Sequence, residues 1–527
     1  MYKEEIKNKA REIVIKEAID ALTINRNTST LTRKSYIREI KNFYKLEPLH
    51  EFDKVIASCL DDEVINRWEK FYDTIVQTKN ADSLKVAYLS GPNPENDLEV
   101  LLKYGVLPEN VWAFESENKT YDEAVISALN SKFPFLKIIN SGIDKFLDYS
   151  PIKFDIIYLD FCAPLPSRNK RQKTLSVITK ILEEHALNSP GVLITNVSLP
   201  TEKQDLKGRD LMSKLVSSYL YPKAFLEDET SPSLLDDGCY AHCMDYKEFV
   251  NKVRDNLDIE YGNFITRLLI DHISIISPYE RLMNSEVLKS IFDFDKYPNK
   301  IQNEYFEEYI PYEMESFPIH WTLASLSKFI NNKNQAFPQD IYSDSEFGEF
   351  ANLFLRQLST MGNSKDLSEK LTKILFLLSG QSEFLDCLSE RMKNLKKMHK
   401  NSRYYQFCDL LLFHQILESV CRQICIPYHI NIEKTQRWQY TAKQTPMYMD
   451  MLILDECRYL YDWMPTLSMI ETGLVDLERQ LAYRFSLDGI SKHNRWYIPE
   501  LFFGAAIVGQ DVEHFEAKIL SVRKIIK

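Results

Sequence analysis

Four positions, separated by helix-length stretches, carry residues suited to holding a nucleotide-like ligand: Gly91, Glu115, Asp144 and Asp160. Gly91 lies in "KVAYLSGPNPEND" (85–97), where the apolar run from Val86 to Leu89 stops at Ser90-Gly91 and two prolines follow. A residue without Cβ lets the chain turn sharply and lets a ligand approach the backbone. Asn93 is the expected N-cap of the helix that follows, Pro94 its first residue and Gly105 its C-terminal stop. A helix N-terminus attracts anions, yet Glu95 and Asp97 already bring negative charge there. That arrangement disfavours a pyrophosphate and suits a ligand with an ammonium or sulfonium group. Glu115 is the first acid after the next apolar run and stands 24 residues beyond Gly91. A carboxylate at that spacing accepts hydrogen bonds from both hydroxyls of a ribose; Glu117 competes for the role. Gly142 and Asp144 follow the third run and are placed to flank a purine, and Asp160 closes the fourth.

These residues need a scaffold that brings four segment ends together. From about residue 84, short runs rich in Val, Ile, Phe and Tyr ("LKVAYL", "VWAF", "FLKIIN", "FDIIYLD", "GVLITNV") alternate with amphipathic helical patterns. Continuous apolar runs suit strands buried on both faces, and strand–helix alternation predicts a parallel sheet with right-handed crossovers. Ligands bind such a sheet at the carboxyl ends of its strands. Residues 1–80 read as helices, including a basic amphipathic one with Arg33, Lys34, Arg38 and Lys41. A further helix is expected over 203–221, and from about 246 the pattern reads helical to the end. The predicted architecture is α/β: a helical N-terminal segment (1–80), a Rossmann-like domain (81–275) and a large, mostly α-helical C-terminal domain (276–527).

Between about 84 and 200 the chain resembles the class I S-adenosylmethionine-dependent methyltransferases. The resemblance implies S-adenosylmethionine as cofactor, with its methionine portion held by Ser90, Gly91, Asn93 and Asp97. It places the ribose on Glu115, and the adenine against Gly142, Ile143 and Asp144. The reacting centre would be lined by Asp160 to Pro164, with Asp160 and Pro164 as catalytic residues. The chain departs from the family's patterns in two places: its first turn holds one glycine, and the fourth strand ends in Asp-Phe-Cys-Ala-Pro. A nicotinamide dehydrogenase is disfavoured, because no Gly-x-Gly-x-x-Gly occurs in the sheet region.

If the methyl acceptor is an amine, Asp160 can hold its N–H and orient its lone pair. Cys162 is either a small packing residue at a strand end or, less in keeping with known cysteine motifs, a thiolate nucleophile. Directly downstream, "SRNKRQK" supplies Arg168, Lys170, Arg171 and Lys173. A cationic loop at that point would hold an anionic substrate, most simply a nucleic acid backbone; the alternative is a solvated loop. The net charge, 65 − 76 = −11, argues against a generally basic surface but allows a local basic groove. Nine cysteines without a secretory leader point to reduced thiols in a cytoplasmic protein, and no uncharged run is long enough to span a membrane. Cys239, His242 and Cys243, and separately Cys421, Cys425 and His429, have partial zinc-like spacing but read better as packing residues, so no metal is expected. Only 14 of 527 residues are glycine, against a usual share of about 7%, which favours long helices over a turn-rich β architecture. Two functions follow. One is a methyltransferase acting on a substrate such as a nucleic acid, selected by the helical C-terminal half. The other is a non-catalytic relative that binds a nucleotide-like ligand and uses the helical half for protein partners.

Overall fold

The computed structural model describes residues 5–31, 33–46, 51–59, 61–169, 172–220, 246–277, 290–293, 345–358, 388–400, 406–407, 410–411, 428–461 and 521–527. Five helices open the chain: α1 (Glu5–Leu22), α2 (Arg26–Ser29), α3 (Tyr36–Leu46), α4 (Glu51–Cys59) and α5 (Asp62–Ile75). The alternating region follows as β1 (Val86–Leu89), α6 (Glu95–Lys103), β2 (Val111–Glu115), α7 (Asn118–Asn130), β3 (Lys137–Asn140), α8 (Ile143–Leu147), β4 (Phe154–Asp160), α9 (Thr174–Glu183) and β5 (Leu187–Ser198). Helices α10 (Glu202–Leu220), α11 (Tyr246–Asp255), α12 (Leu257–Asp271), α13 (Ser345–Gln357) and α14 (Glu390–Lys400) come next. The short strands β6 (Gln406–Phe407) and β7 (Leu410–Leu411) pair with each other. Then come β8 (His429–Ile430), β9 (Gln436–Ala442), β10 (Thr445–Asp455), α15 (Arg458–Tyr461) and β11 (Lys524–Ile525).

Nine strands form one mixed sheet in the order β11-β9-β10-β5-β4-β1-β2-β3, with β8 paired to β10. The pairs among β1 to β5 are all parallel. Strand order reverses between β1 and β4, which is where an open α/β sheet presents its ligand crevice. The expected parallel sheet is therefore present, with each strand at the predicted place.

The C-terminal half corrects the expected domain plan. Residues 429–455 and 524–525 are not a separate helical body but strands of the same sheet, with β10 running antiparallel along β5 from Met447↔Ser198 to Leu454↔Gly191. Thr445-Pro446, within the stretch expected to be helical from about 246 onward, opens strand β10 instead. The run "MYMDMLILD" is rich in helix formers, but the strand is buried on both faces and so shows no alternation in its sequence. Its residues nevertheless divide: Met447, Met449, Met451 and Ile453 join one core, and Tyr448, Leu452 and Leu454 the other.

The same division runs through β1 and β4. Val86, Tyr88, Ile156 and Tyr158 face the core shared with α1 and α6, whereas Ala87, Ile157 and Leu159 face the core shared with α9, α10, α12 and α13. Helix α1 belongs to the first core through Val14, Ile15, Ala18, Ile19 and Leu22, so the N-terminal segment is a layer of the fold. Just before the basic helix α3, Lys34 pairs with Asp73 (2.5 Å), and on it Arg38 pairs with Glu69 (3.1 Å) and Lys41 with Asp62 (2.8 Å). Those cations serve helix packing. Helix α10 lies where the sequence predicts it. No helix among the described residues is long and apolar enough to cross a membrane.

Candidate functional site

The sheet register sets the site. Leu89 lies beside Phe114, Glu115 beside Asn140, Tyr88 beside Tyr158 and Asp160 beside Asn196. The Ser90 N–H donates to the Phe114 carbonyl at 3.0 Å, holding the strand ends together beyond the last paired residues. The segments after β1, β2, β3 and β4 thus leave the sheet on one edge in the order β3, β2, β1, β4. Gly91, Glu115, Asp144 and Asp160 all stand on that edge.

Gly91 has φ = +58° and nothing lies within 4 Å of the place a Cβ would take. The turn is therefore both left-handed, which favours glycine, and open above. Tyr88 ties it down by donating its hydroxyl to the Pro94 carbonyl at 2.6 Å. The helix begins one residue later than expected, at Glu95. Asn93 does not cap it through its side chain; its carbonyl accepts the Asn96 N–H at 3.3 Å. Gly105 ends the helix with φ = +91°, as predicted. A Cβ at Gly142 would meet Asp144 Oδ1 at 2.3 Å and lie 4.0 Å from Ser116 Cβ, so the glycine leaves room for the Asp144 carboxylate where the exits of β2 and β3 come close. Glu115 is half-buried and its Oε1 accepts the Glu117 N–H at 2.8 Å. Thr120 Oγ1 donates to Glu117 Oε2 at 2.7 Å, which employs the rival acid locally. Ile143, expected to pack on an adenine ring, is 1% exposed and belongs to the hydrophobic core.

Two cations that sequence reasoning left out reach this edge from α1. Arg11 Nε sits 2.6 Å from Asp97 Oδ1, with both side chains 8% exposed. Lys7 Nζ lies 2.9 Å from Asp160 Oδ2 and 3.6 Å from Cys162 Sγ. On the other side of Asp160, Asn196 Nδ2 donates to Oδ1 at 2.9 Å and is 2.7 Å from the Tyr440 hydroxyl. The strand-four acid is thus gripped from α1 and β5, with Tyr440 of β9 bracing Asn196. Burial opposes the Lys7 charge, but the Asp160 carboxylate outweighs it and raises the lysine pKa, so Lys7 is held as an ammonium. Burial pushes the Asp97 carboxyl up to about 6, with nearby Asp160 adding to the shift and Arg11 opposing it. Burial and the Asp160 charge push the Cys162 thiol up to about 12. A thiol so shifted is a poor nucleophile, which sets aside the thiolate alternative. A signal for Arg11 was present in the sequence: it is a charged residue adjoining the apolar positions Ala10, Val14 and Ile15 of an amphipathic helix. Asn196 likewise stands out as a polar residue within an apolar strand.

Several buried polar atoms on this edge have no hydrogen-bond partner among the described residues: Ser90 Oγ, Glu95 Oε2, Thr195 Oγ1 and Asn196 Oδ1. Buried polar atoms are rarely left unsatisfied without a reason, such as a ligand or water. With the open turn at Gly91 and the free Glu115 Oε2 beside it, the edge fits a ligand that offers donors to Ser90, Asn196 and Glu115. An amino acid linked to a ribose has that chemistry.

Beyond Asp160, Pro164 is half-buried, and its carbonyl accepts the Thr174 hydroxyl at 3.0 Å. Arg168 is ion-paired to Asp205. Lys173 precedes α9 and borders a cavity described below. Lys170 and Arg171 lie outside the described residues, as do Cys239, His242, Cys243, Cys421 and Cys425. His429 is buried in β8 opposite Asp455. Among the described residues no group of three His, Cys, Asp or Glu side chains is placed to hold a metal ion. Comparison of the chain with family models, with curated proteins and with solved structures gave no match in any of the three.

Proposed function

We propose that this protein is an S-adenosylmethionine-dependent methyltransferase whose cofactor crevice is the carboxyl edge of β1, β2, β3 and β4. The reading is carried by one observation: Gly91, Glu115, Asp144 and Asp160 lie at or just beyond the carboxyl ends of four adjacent strands, with the reversal of strand order between Gly91 and Asp160. The sheet also speaks against a dehydrogenase. Where the usual dinucleotide fold continues beyond strand five with a sixth parallel strand, this one places the antiparallel β10.

The bound cofactor would supply a methyl group activated on a sulfonium. The chain's own residues would do the rest by positioning. Glu115 accepts the ribose hydroxyls, and Gly91 allows the backbone to come close. Asp144 accepts the adenine amino group. Asp160 takes the N–H of an amine acceptor and turns its lone pair inward. For that last role Lys7 must move aside or share the carboxylate, because its ammonium occupies Asp160 Oδ2.

Calorimetry with S-adenosylmethionine and its demethylated product tests the reading. Binding is expected, weakened about 10- to 100-fold in Glu115→Ala, the range for hydrogen bonds to a charged group. No binding at millimolar ligand would overturn it.

The Lys7–Asp160 contact also favours a second reading, in which the crevice binds its ligand but transfers nothing. A labelled methyl donor offered to DNA, RNA and protein extracts separates the two. Label transfer abolished in Asp160→Ala supports the enzyme; ligand binding without transfer, in both the native chain and Lys7→Met, supports the non-catalytic protein.

A further inference from the structure

Past Asp160 the chain runs through a loop that separates two cavities. The larger, about 460 Å³, lies between α8, the loop, α9 and α13. The smaller, about 230 Å³, lies against the ends of β5 and α10, and the two share Asn169 and Gln172 as a common wall. Their charges differ in availability. In the smaller cavity Arg168 is neutralised by Asp205. In the larger one Lys180 is held by Asp148 (2.8 Å) and Glu184 (2.6 Å). Lys173 and Arg356, both bordering the larger cavity, have no ion-pair or hydrogen-bond partner among the described residues. Lys173 stands at the N-terminus of α9, a helix of 10 residues without a side-chain cap. Ser176, in the first turn of that helix, lines the same cavity as the two cations. An uncapped helix start beside two unpaired cations has the features of a phosphate site.

An independent observation indicates what accompanies the phosphate. Gln357 is 6% exposed, and its side chain is half used: Nε2 donates to the Ser167 carbonyl at 3.1 Å, while Oε1 has no partner among the described residues. Its backbone carbonyl takes the Thr179 hydroxyl at 2.7 Å, which anchors this end of α13 to α9. A ligand in this cavity thus meets two cations, an uncapped helix N-terminus, a fixed carbonyl acceptor and the Asp144 carboxylate. An anion with hydrogen-bond donors at its other end satisfies all of them. A nucleotide has that combination, and the volume suits one nucleotide unit.

We infer that the cavity between α8, α9 and α13 is a nucleotide-binding site, with the phosphate on Lys173, Arg356 and Ser176 in the first turn of α9 and the base N–H groups on Gln357. The cavity meets the proposed cofactor crevice only at Asp144, and Lys173, Arg356 and Gln357, which carry the inference, have no part in the methyltransferase reading. The nucleotide is either free or one unit of a single strand.

The test is binding of the full chain to nucleoside monophosphates, by calorimetry at low and moderate salt, with single-stranded DNA and RNA oligonucleotides as further arms. Expected is one nucleotide per chain, affinity falling as salt rises, and at least a tenfold loss in Lys173→Ala and in Arg356→Ala at unchanged melting temperature. Gln357→Leu, which keeps the packing volume, should change the preference among bases more than the affinity for phosphate. Tight monophosphate binding identifies a free nucleotide, and binding of oligonucleotides alone identifies a strand. No binding of either class at low salt, or binding untouched by both cation substitutions, overturns the inference. S-adenosylmethionine binding measured on the same variants keeps the two sites distinct, because Lys173→Ala and Arg356→Ala should leave it unchanged.

Discussion

At the scale of single residues, charge compensation in the crevice governs both stability and reactivity. Asp97 is buried against Arg11, and its carboxyl titrates near 6, above the ordinary carboxylate range. An acid whose folded pKa is raised contributes most to stability below its unfolded pKa and loses that contribution as pH rises through the folded value. Arg11→Met removes the counter-charge and raises Asp97 further, so its penalty is pH-dependent. At pH 8 it should reach about 3–5 kcal/mol, as for a buried charge left without its partner. Toward pH 5 it should shrink, because Asp97 then takes up a proton. Chemical denaturation of both proteins at the two pH values checks this, and equal penalties would contradict the account. Cys162 offers a second probe. With its thiol pushed up to about 12, it should react with iodoacetamide at pH 8 more than about tenfold more slowly than an ordinary exposed thiol. Asp160→Asn should speed that reaction and Lys7→Met should slow it further, followed by mass spectrometry of the labelled peptide.

Much of this scale was legible beforehand. The turn at Gly91, the acid ending β2 and the acid ending β4 follow from local patterns. Lys7, Arg11 and Tyr440 were not found, because their contacts cross 153, 86 and 244 positions of sequence and no local rule reports a partner that distant.

At the scale of elements, buried ion pairs fasten the later strands to the helices. Arg523, just before β11, reaches Asp450 of β10 at 2.5 Å, and Thr266 of α12 donates to the same carboxylate at 2.5 Å. Asp450 is fully buried and Arg523 nearly so. Arg523→Met should therefore cost about 3–5 kcal/mol, visible as a lower denaturant midpoint, and should release β11 from β9 with faster exchange of the Ile526 amide, which now donates to the Gln439 carbonyl at 2.9 Å. Helices α1 and α10 were readable from their periodicity. Strand β10 was not: its run of Met, Leu and Ile fits a buried helix as well as a buried strand, and length alone does not decide between them.

At the scale of the whole molecule, the sheet unites what the sequence seemed to divide. A break after residue 275 is suggested by fading strand–helix alternation, but β9 and β10 return to cover β5 from beyond it. Trp438, Tyr440 and Met449 complete the core that α1 shares with β4 and β5. A fragment comprising residues 1–275 would leave β5 as a bare edge beside an unfilled core. Such edges are sites of aggregation, so the fragment should show no cooperative thermal transition and should bind a hydrophobic dye, whereas the full chain should melt cooperatively. Strand–helix alternation foretold the α/β class, and the scarcity of glycine the abundance of helix. It held no information on which distant strand would cover which edge, since that depends on pairings made only when the chain closes.

The late return of β10 has a consequence for synthesis. While the ribosome is still adding the 246 residues between β5 and β10, the growing chain carries a half-built sheet with its backbone donors and acceptors open along Gly191 to Ser198. Chaperone occupancy measured on stalled nascent chains should persist through that interval and fall only once residues 445–455 have cleared the exit tunnel.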